Sequence, residues 1–311
     1  MANTYRLKGH ESFYLREGWL TKGLRAVHED PRVFFTNGGA DALGVGTNMA
    51  KSIRYWLKTA GLIKDSAKSG AELTEIGKII FDNDLYIEDI FTLWIIHINI
   101  VLNYAAATSW AVFFNEFDLS SFKRDEMNDL MKRLLIETTG DIKLPDRSIR
   151  DDCTAIISMY SNSREENVDP EDKKVSPFAN LGLLKQNGQL FSKEQPLQSL
   201  VDPLIVLYII RDRLIEEKAL SIDEIVEGKN MPGKLMNLSR ILCNEHLDRL
   251  ANREYIIVNR TAGLDMVYPQ LVPEKEDILR AHYLGDTPKH ILIEDSGIKV
   301  TESFGRRSKK R

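Results

Sequence analysis

Apolar residues recur at helical spacing along most of this chain. Between residues 14 and 29, Trp19, Leu20, Leu24 and Val27 mark one face of a helix that should end before Pro31. The segment VFFTNGGADALGVG is a short apolar run, then a glycine-rich turn, then at most a short helix. From Thr47 onward, Met49, Ile53, Trp56, Leu57 and Ala60 share one face, Thr47 or Asn48 is placed to cap the N-terminus, and Gly61 stops the helix. A polar turn, KDSAKSGAE, and a renewed apolar pattern, LTEIGKIIF, come next. A short helix, a glycine turn, an amphipathic helix and a strand-containing exit predict a winged helix-turn-helix over residues 1–85.

The stretch from Leu93 to Phe114 contains no Asp, Glu, Lys or Arg and is long enough to span a bilayer. His97, Asn99, Asn103, Thr108 and Ser109 interrupt it, and its flanks are acidic at both ends, so nothing orients insertion. The reading is a buried central helix that breaks near Ala105–Thr108, within a central helical domain over 86–160 and with no membrane contact. A second region, over 178–290, repeats the N-terminal plan. It has a strong helix over 201–219, a capping box at Ser221 and Glu224, and a helix over 237–253 with Leu238, Ile241, Leu242, Leu247 and Leu250 inward. YIIV–NRTAG–LDMVYP then reads as a β-hairpin, the wing of a winged-helix-like unit. Residues 161–177 are polar and charge-rich and read as a linker or loop, while 291–311 ends in a basic tail, RRSKKR. The fold class predicted is therefore mainly α, with an N-terminal winged helix-turn-helix, a central helical core and a C-terminal winged-helix-like unit.

Charge changes this picture. The net charge of the 311 residues is −4, yet Met1 to Lys64 carries ten Lys and Arg against five Asp and Glu, an excess of +5. Cations on phosphates release counterions, so such a segment suits double-stranded DNA. On the second predicted helix, Lys51, Arg54 and Lys58 recur at i, i+3 and i+7, away from the apolar face, with Thr47 and Asn48 at the start to reach base edges or phosphates. Lys22, Arg25 and Lys64 extend the basic set. The alternative is a solvated cationic face with no ligand. In the C-terminal unit Lys229, Lys234, Arg240, Arg249, Arg253 and Arg260 are nearly cancelled by Asp223, Glu224, Glu227, Glu245, Asp248 and Glu254, leaving DNA and protein contact equally open.

Catalytic residues are sparse. The phosphate loop GxxxxGK[ST], HExxH and GxSxG are all absent. His10, Glu11 and Arg16 form a compact polar group that could position a phosphate or move a proton, or simply fix the first helix. Glu88–Asp89 and Asp151–Asp152 are the carboxylate pairs that a Mg2+- or Mn2+-dependent nuclease would need, though adjacent acids are usually solvated surface. His97, inside the apolar stretch, reads as a satisfied core histidine, and His28, His246, His282 and His290 show no ligand spacing. Two distant cysteines, Cys153 and Cys243, exclude a disulfide framework and point to a reducing cytoplasm.

The strings HESFYLREGWLTKG, LGVGTNMAKSIRYWLKTAGLI, LTEIGKIIF, YIEDIFTLWIIH, SPFANLGLL, MPGKLMNLSR and TAGLDMVYP, spread over nearly the whole chain, resemble the SspB-like family of bacterial proteins, which carry a domain of unknown function. The resemblance implies membership of a system that replaces a non-bridging phosphate oxygen of DNA by sulfur and so marks self DNA for anti-phage defence. Such proteins act as DNA nicking components beside a cysteine desulfurase, an ATPase and a sulfur-transfer partner. It assigns no nicking residue. A non-enzymatic adaptor and a transcriptional regulator remain alternatives, and a homodimer is compatible with each.

Overall fold

The computed structural model describes residues 4–66, 68–162, 175–261, 264–285, 291–294 and 297–300. Most of the expected linker and the RRSKKR tail lie outside the described residues. The chain is mainly helical with small, mostly antiparallel sheets, and it divides into two compact units: 1–201 with 234–237, and 202–233 with 238–311. Among the described residues no helix is long and apolar enough to cross a membrane.

The first unit opens with α1 (Trp19–Glu29), two 3-10 turns and α2 (Ala40–Leu43), then α3 (Thr47–Thr59). Strands β1 (Ile63–Ser66) and β2 (Gly70–Leu73) form an antiparallel hairpin directly behind α3. The cap expected at Thr47 or Asn48 is a correction. Gly46 is the extended N-cap residue (φ −63°, ψ 153°), so α3 already begins at Thr47 and no side chain caps it. Thr47 and Asn48 are left exposed. Ala50, Ile53, Trp56 and Leu57 are fully buried, and the Trp56 indole donates to Phe13 O at 3.1 Å. Gly23 lets α1 sit directly on this stripe. A Cβ there would meet Leu57 Cδ1 at 2.4 Å and Ile53 Cγ2 at 2.9 Å, closer than any real packing contact.

Next come α4 (Glu75–Asn83), capped by Thr74, and α5 (Ile90–Leu102). α6 (Thr108–Glu116) follows after a break at 103–107, where the uncharged stretch was expected to break. α5 is apolar on all sides and Phe91–Ile98 is wholly buried, as a central helix requires. His97 is satisfied inside it, with Nδ1 2.7 Å from Tyr160 Oη and Nε2 2.9 Å from Leu235 O. Strand β3 (Ser121–Phe122), α7 (Arg124–Thr139), α8 (Asp146–Tyr160), β4 (Ser161–Asn162), β5 (Leu184–Asn187) and β6 (Leu190–Lys193) complete the unit. The sheet order is β3-β6-β5-β4, with β4 parallel to β5.

The second unit comprises α9 (Pro203–Glu217), β7 (Leu220–Ser221), α10 (Ile222–Glu227), a turn of helix α11 (Pro232–Leu235) that leads back to the first unit, and α12 (Arg240–Asn252). The predicted hairpin is β8 (Ile256–Thr261) and β9 (Leu264–Pro269), and β7 pairs with β9 to give the sheet β7-β9-β8. A short β10 (Leu271–Val272), α13 (Lys275–Leu284), β11 (Ile291–Glu294) and β12 (Gly297–Val300) close it. Ser221 Oγ accepts from Glu224 N at 3.1 Å, while the Glu224 carboxylate turns to Arg213. Ile241, expected inward, is 71% exposed. Leu242, Cys243, His246, Leu247 and Leu250 form the buried stripe of α12, and Ile241 precedes that stripe by one residue, about 100° around the helix.

Candidate nucleic-acid interface

The expected basic residues separate into distinct environments. Lys51 is exposed on the second turn of α3, its Nζ 3.5 Å from Asn48 Oδ1. Arg54 and Lys58, one turn apart, both reach Asp65 on β1. Arg54 Nη2 lies 3.0 Å from Asp65 Oδ1, and the Lys58 ammonium pairs with the other carboxylate oxygen. The Arg54 guanidinium also rests against the rings of Phe34 and Phe35, 5.6 and 5.0 Å from their centroids. Partial burial pushes the Asp65 carboxyl up, but hydrogen bonds from Lys58 and Arg54 outweigh it and hold the group below the usual carboxylate range. Lys64 is exposed beside it, opposite Glu72 in the hairpin register. On α1, Lys22 is exposed, whereas Arg25 is spent on Tyr86, donating to its Oη at 2.7 Å. Thr47, Asn48, Lys51, Arg54, Lys58 and Lys64 are thus carried by one helix and its adjoining strand, with Asp65 as the built-in counterion of Arg54 and Lys58.

The polar group proposed near the start of the chain is dispersed. His10 is fully buried, stacked on Trp56 at 5.9 Å and edge-on to Trp110 at 5.5 Å. Its Nε2 lies 2.8 Å from Asp152 Oδ1; because a carboxylate only accepts, Nε2 donates. Asp152 also accepts from Lys8 N at 2.9 Å and Ser109 Oγ at 2.5 Å. Glu11 is exposed in a left-handed conformation (φ 51°). Arg16 packs its guanidinium 5.2 to 5.6 Å from the ring centroids of Phe13, Tyr14 and Trp19. It also lines an open cavity of about 400 Å3 whose walls include Tyr86, Glu88 and Asn180. Arg16 and Glu88 thus line one cavity, and His10 is not among its walls.

Neither acidic pair converges as a pair. Asp89 caps α5, accepting from Phe91 N at 2.9 Å, while Glu88 faces the cavity. Asp151 bonds Lys8 Nζ at 2.6 Å and Ser12 Oγ at 3.2 Å, while its neighbour Asp152 is buried with His10. Among the described residues no group of three or more His, Cys, Asp or Glu side chains is arranged to hold a metal ion. The described residues thus form no protein cage for Mg2+ or Mn2+.

In the second unit most of the cations on α12 and the hairpin are internally neutralised. Arg240 pairs with Asp223 and, at 3.5 Å, Asp265. Arg260 holds Asp248 at 2.7 Å, and Arg253 reaches Asp202 at 3.6 Å. Cys153 and Cys243 are buried free thiols.

Two residues central to this arrangement, Asp65 and Asp152, carried no mark of it in the sequence reading. Asp65 lies only 7 residues beyond Lys58, so folding the hairpin back on α3 is the local signal that could have found it. Asp152 meets His10 across 142 residues and carries no local signal.

A family model described as "Protein of unknown function (DUF4007)" matches residues 7–283. No curated protein matches the sequence. The chain is similar in fold to two solved structures of SspB, each with a TM-score of 0.77 and 21% identity. One has magnesium ion bound and covers 89% of this chain and 87% of its own. The other covers 91% and 89%.

Proposed function

Starting from a chain that belongs to the DUF4007 family, we propose that it is a DNA-binding component of a DNA phosphorothioate modification and anti-phage defence system. In this reading α1–α3 and the β1–β2 hairpin act as a winged helix-turn-helix on duplex DNA. The observation that carries it is the polar face of α3, which presents Lys51, Arg54 and Lys58 off its buried stripe. The likeness to SspB supports the choice of system. The partners proposed are a cysteine desulfurase, an ATPase and a sulfur-transfer protein, with a homodimer as the assembly. The binding test is fluorescence anisotropy with duplexes of unrelated sequence. Weak sequence preference and a steep loss of affinity between about 50 and 200 mM salt are expected. Tight binding to one sequence only would favour a transcriptional regulator instead.

A second reading, that the protein nicks the duplex, draws on the magnesium ion bound in the similar SspB structure. Phosphodiester hydrolysis needs a positioned water and stabilisation of charge developing on phosphate. Supercoiled plasmid converted to open circle by purified protein with Mg2+ or Mn2+, and not with EDTA, supports nicking. Unchanged plasmid leaves a non-enzymatic adaptor.

A further inference from the structure

Asp65 lies where an incoming anion would meet α3. Arg54 and Lys58 project from successive turns and converge on its two carboxylate oxygens. The guanidinium is held from the other side by the rings of Phe34 and Phe35, and Phe35 is 54% exposed, so the cluster opens to solvent. The Asp65 side chain is itself 30% exposed. An anion accepting from a guanidinium on one oxygen and an ammonium on another uses the same contacts as a backbone phosphate. We propose that Asp65 is an internal phosphate mimic: Arg54 and Lys58 together form the cradle for one DNA phosphate, and Asp65 occupies that cradle until the duplex displaces it. This deepens the DNA-binding reading and rests on it.

The physical consequence is a threshold. A weak or isolated anion must compete with a carboxylate tethered on the adjoining strand. A duplex brings many phosphates at once, and the contacts at Lys51 and Lys64 offset the loss of the internal pair. Removing the Asp65 charge frees one unit of positive charge for one phosphate. The same phosphate fills the cradle with or without Asp65, so the gain is the cost of breaking a part-exposed ion pair, roughly 5-fold in affinity.

The test is anisotropy of a fluorescein-labelled duplex of about two helical turns with the full-length protein, titrated across salt. Asp65→Asn should bind roughly 5-fold tighter at about 50 mM salt, because the cradle no longer has to shed its own carboxylate. Asp65→Ala should do the same, which guards against an effect peculiar to the amide. In a Lys58→Met background most of the gain should vanish, because the cradle has already lost a member. If wild type binds duplex while Asp65→Asn binds equally or more weakly, Asp65 merely orients the cations and the mimic is wrong. If wild type itself fails to bind any duplex at low salt, the DNA-binding reading falls first and takes the mimic with it.

Discussion

Removing the Asp152 carboxylate should unfold the first unit far more readily than any surface change. The side chains of His10 and Asp152 are 0% and 1% exposed, and Asp152 collects three donors: His10 Nε2, Ser109 Oγ and Lys8 N. Truncating one partner of a buried pair costs about 3–5 kcal/mol, since the group left behind stays dehydrated and unpaired. Asp152→Ala orphans all three donors, so the upper half of that range is expected. For a unit of about 200 residues each kcal/mol lowers Tm by roughly 2–4 °C, giving a fall on the order of 10–20 °C. Asp152→Asn should be milder, at about 1–3 kcal/mol. Its amide oxygen can still accept from Lys8 N and His10, and its NH2 can donate to Ser109 Oγ once that hydroxyl rotates. Tryptophan fluorescence during guanidinium unfolding reads this directly, because Trp56 and Trp110 both contact the His10 ring. Asp152→Ala within about 1 kcal/mol of wild type, or Asn as damaging as Ala, would refute the reasoning.

Two further outcomes follow from burial. Desolvation lowers the imidazoles of His97 and His246 to about 4 from an ordinary 6.5. The folded state therefore refuses protons that the unfolded state accepts, and stability is lost as pH falls from about 6.5 towards 4, by up to roughly 1.4 kcal/mol per pH unit for each histidine. Denaturant midpoints at about pH 7, 6 and 5 should fall steadily, with His97→Gln flattening part of the decline, whereas a flat profile would contradict the burial argument. The thiols respond oppositely. Burial raises both, and Cys243 is pushed up to about 12, so neither Cys153 nor Cys243 should react with a thiol reagent near pH 8 until denaturant is added.

What the sequence disclosed was local. The α3 stripe of Ile53, Trp56 and Leu57, the break between α5 and α6, and the β8–β9 hairpin each follow from spacing within about 20 residues, where period and turn chemistry act. His97 was legible too, because a histidine inside an uncharged apolar helix has little choice but to find core partners. The contacts that decide the site were different in kind. His10 with Asp152, and Arg16 with Glu88 at one cavity, join segments 142 and 72 residues apart, and only tertiary packing brings them together. Ile241 shows a subtler limit: apolar identity alone suggested an inward position, but the start of α12 at Arg240 fixed the phase of the helix and turned it outward. The two-residue strands β3, β4, β7 and β10 were invisible, since two residues carry no period.

The cationic face of α3 can be tested by charge reversal. Lys51→Glu combined with Arg54→Glu, compared with wild type on the same duplex at about 50 mM salt, removes two phosphate contacts worth roughly 15-fold each. Affinity is predicted to fall on the order of 100-fold and the salt slope to shrink by about 1.8, with the far-ultraviolet spectrum unchanged because both side chains lie off the buried stripe. Unaltered affinity in a folded double variant would contradict the assignment of this helix to DNA.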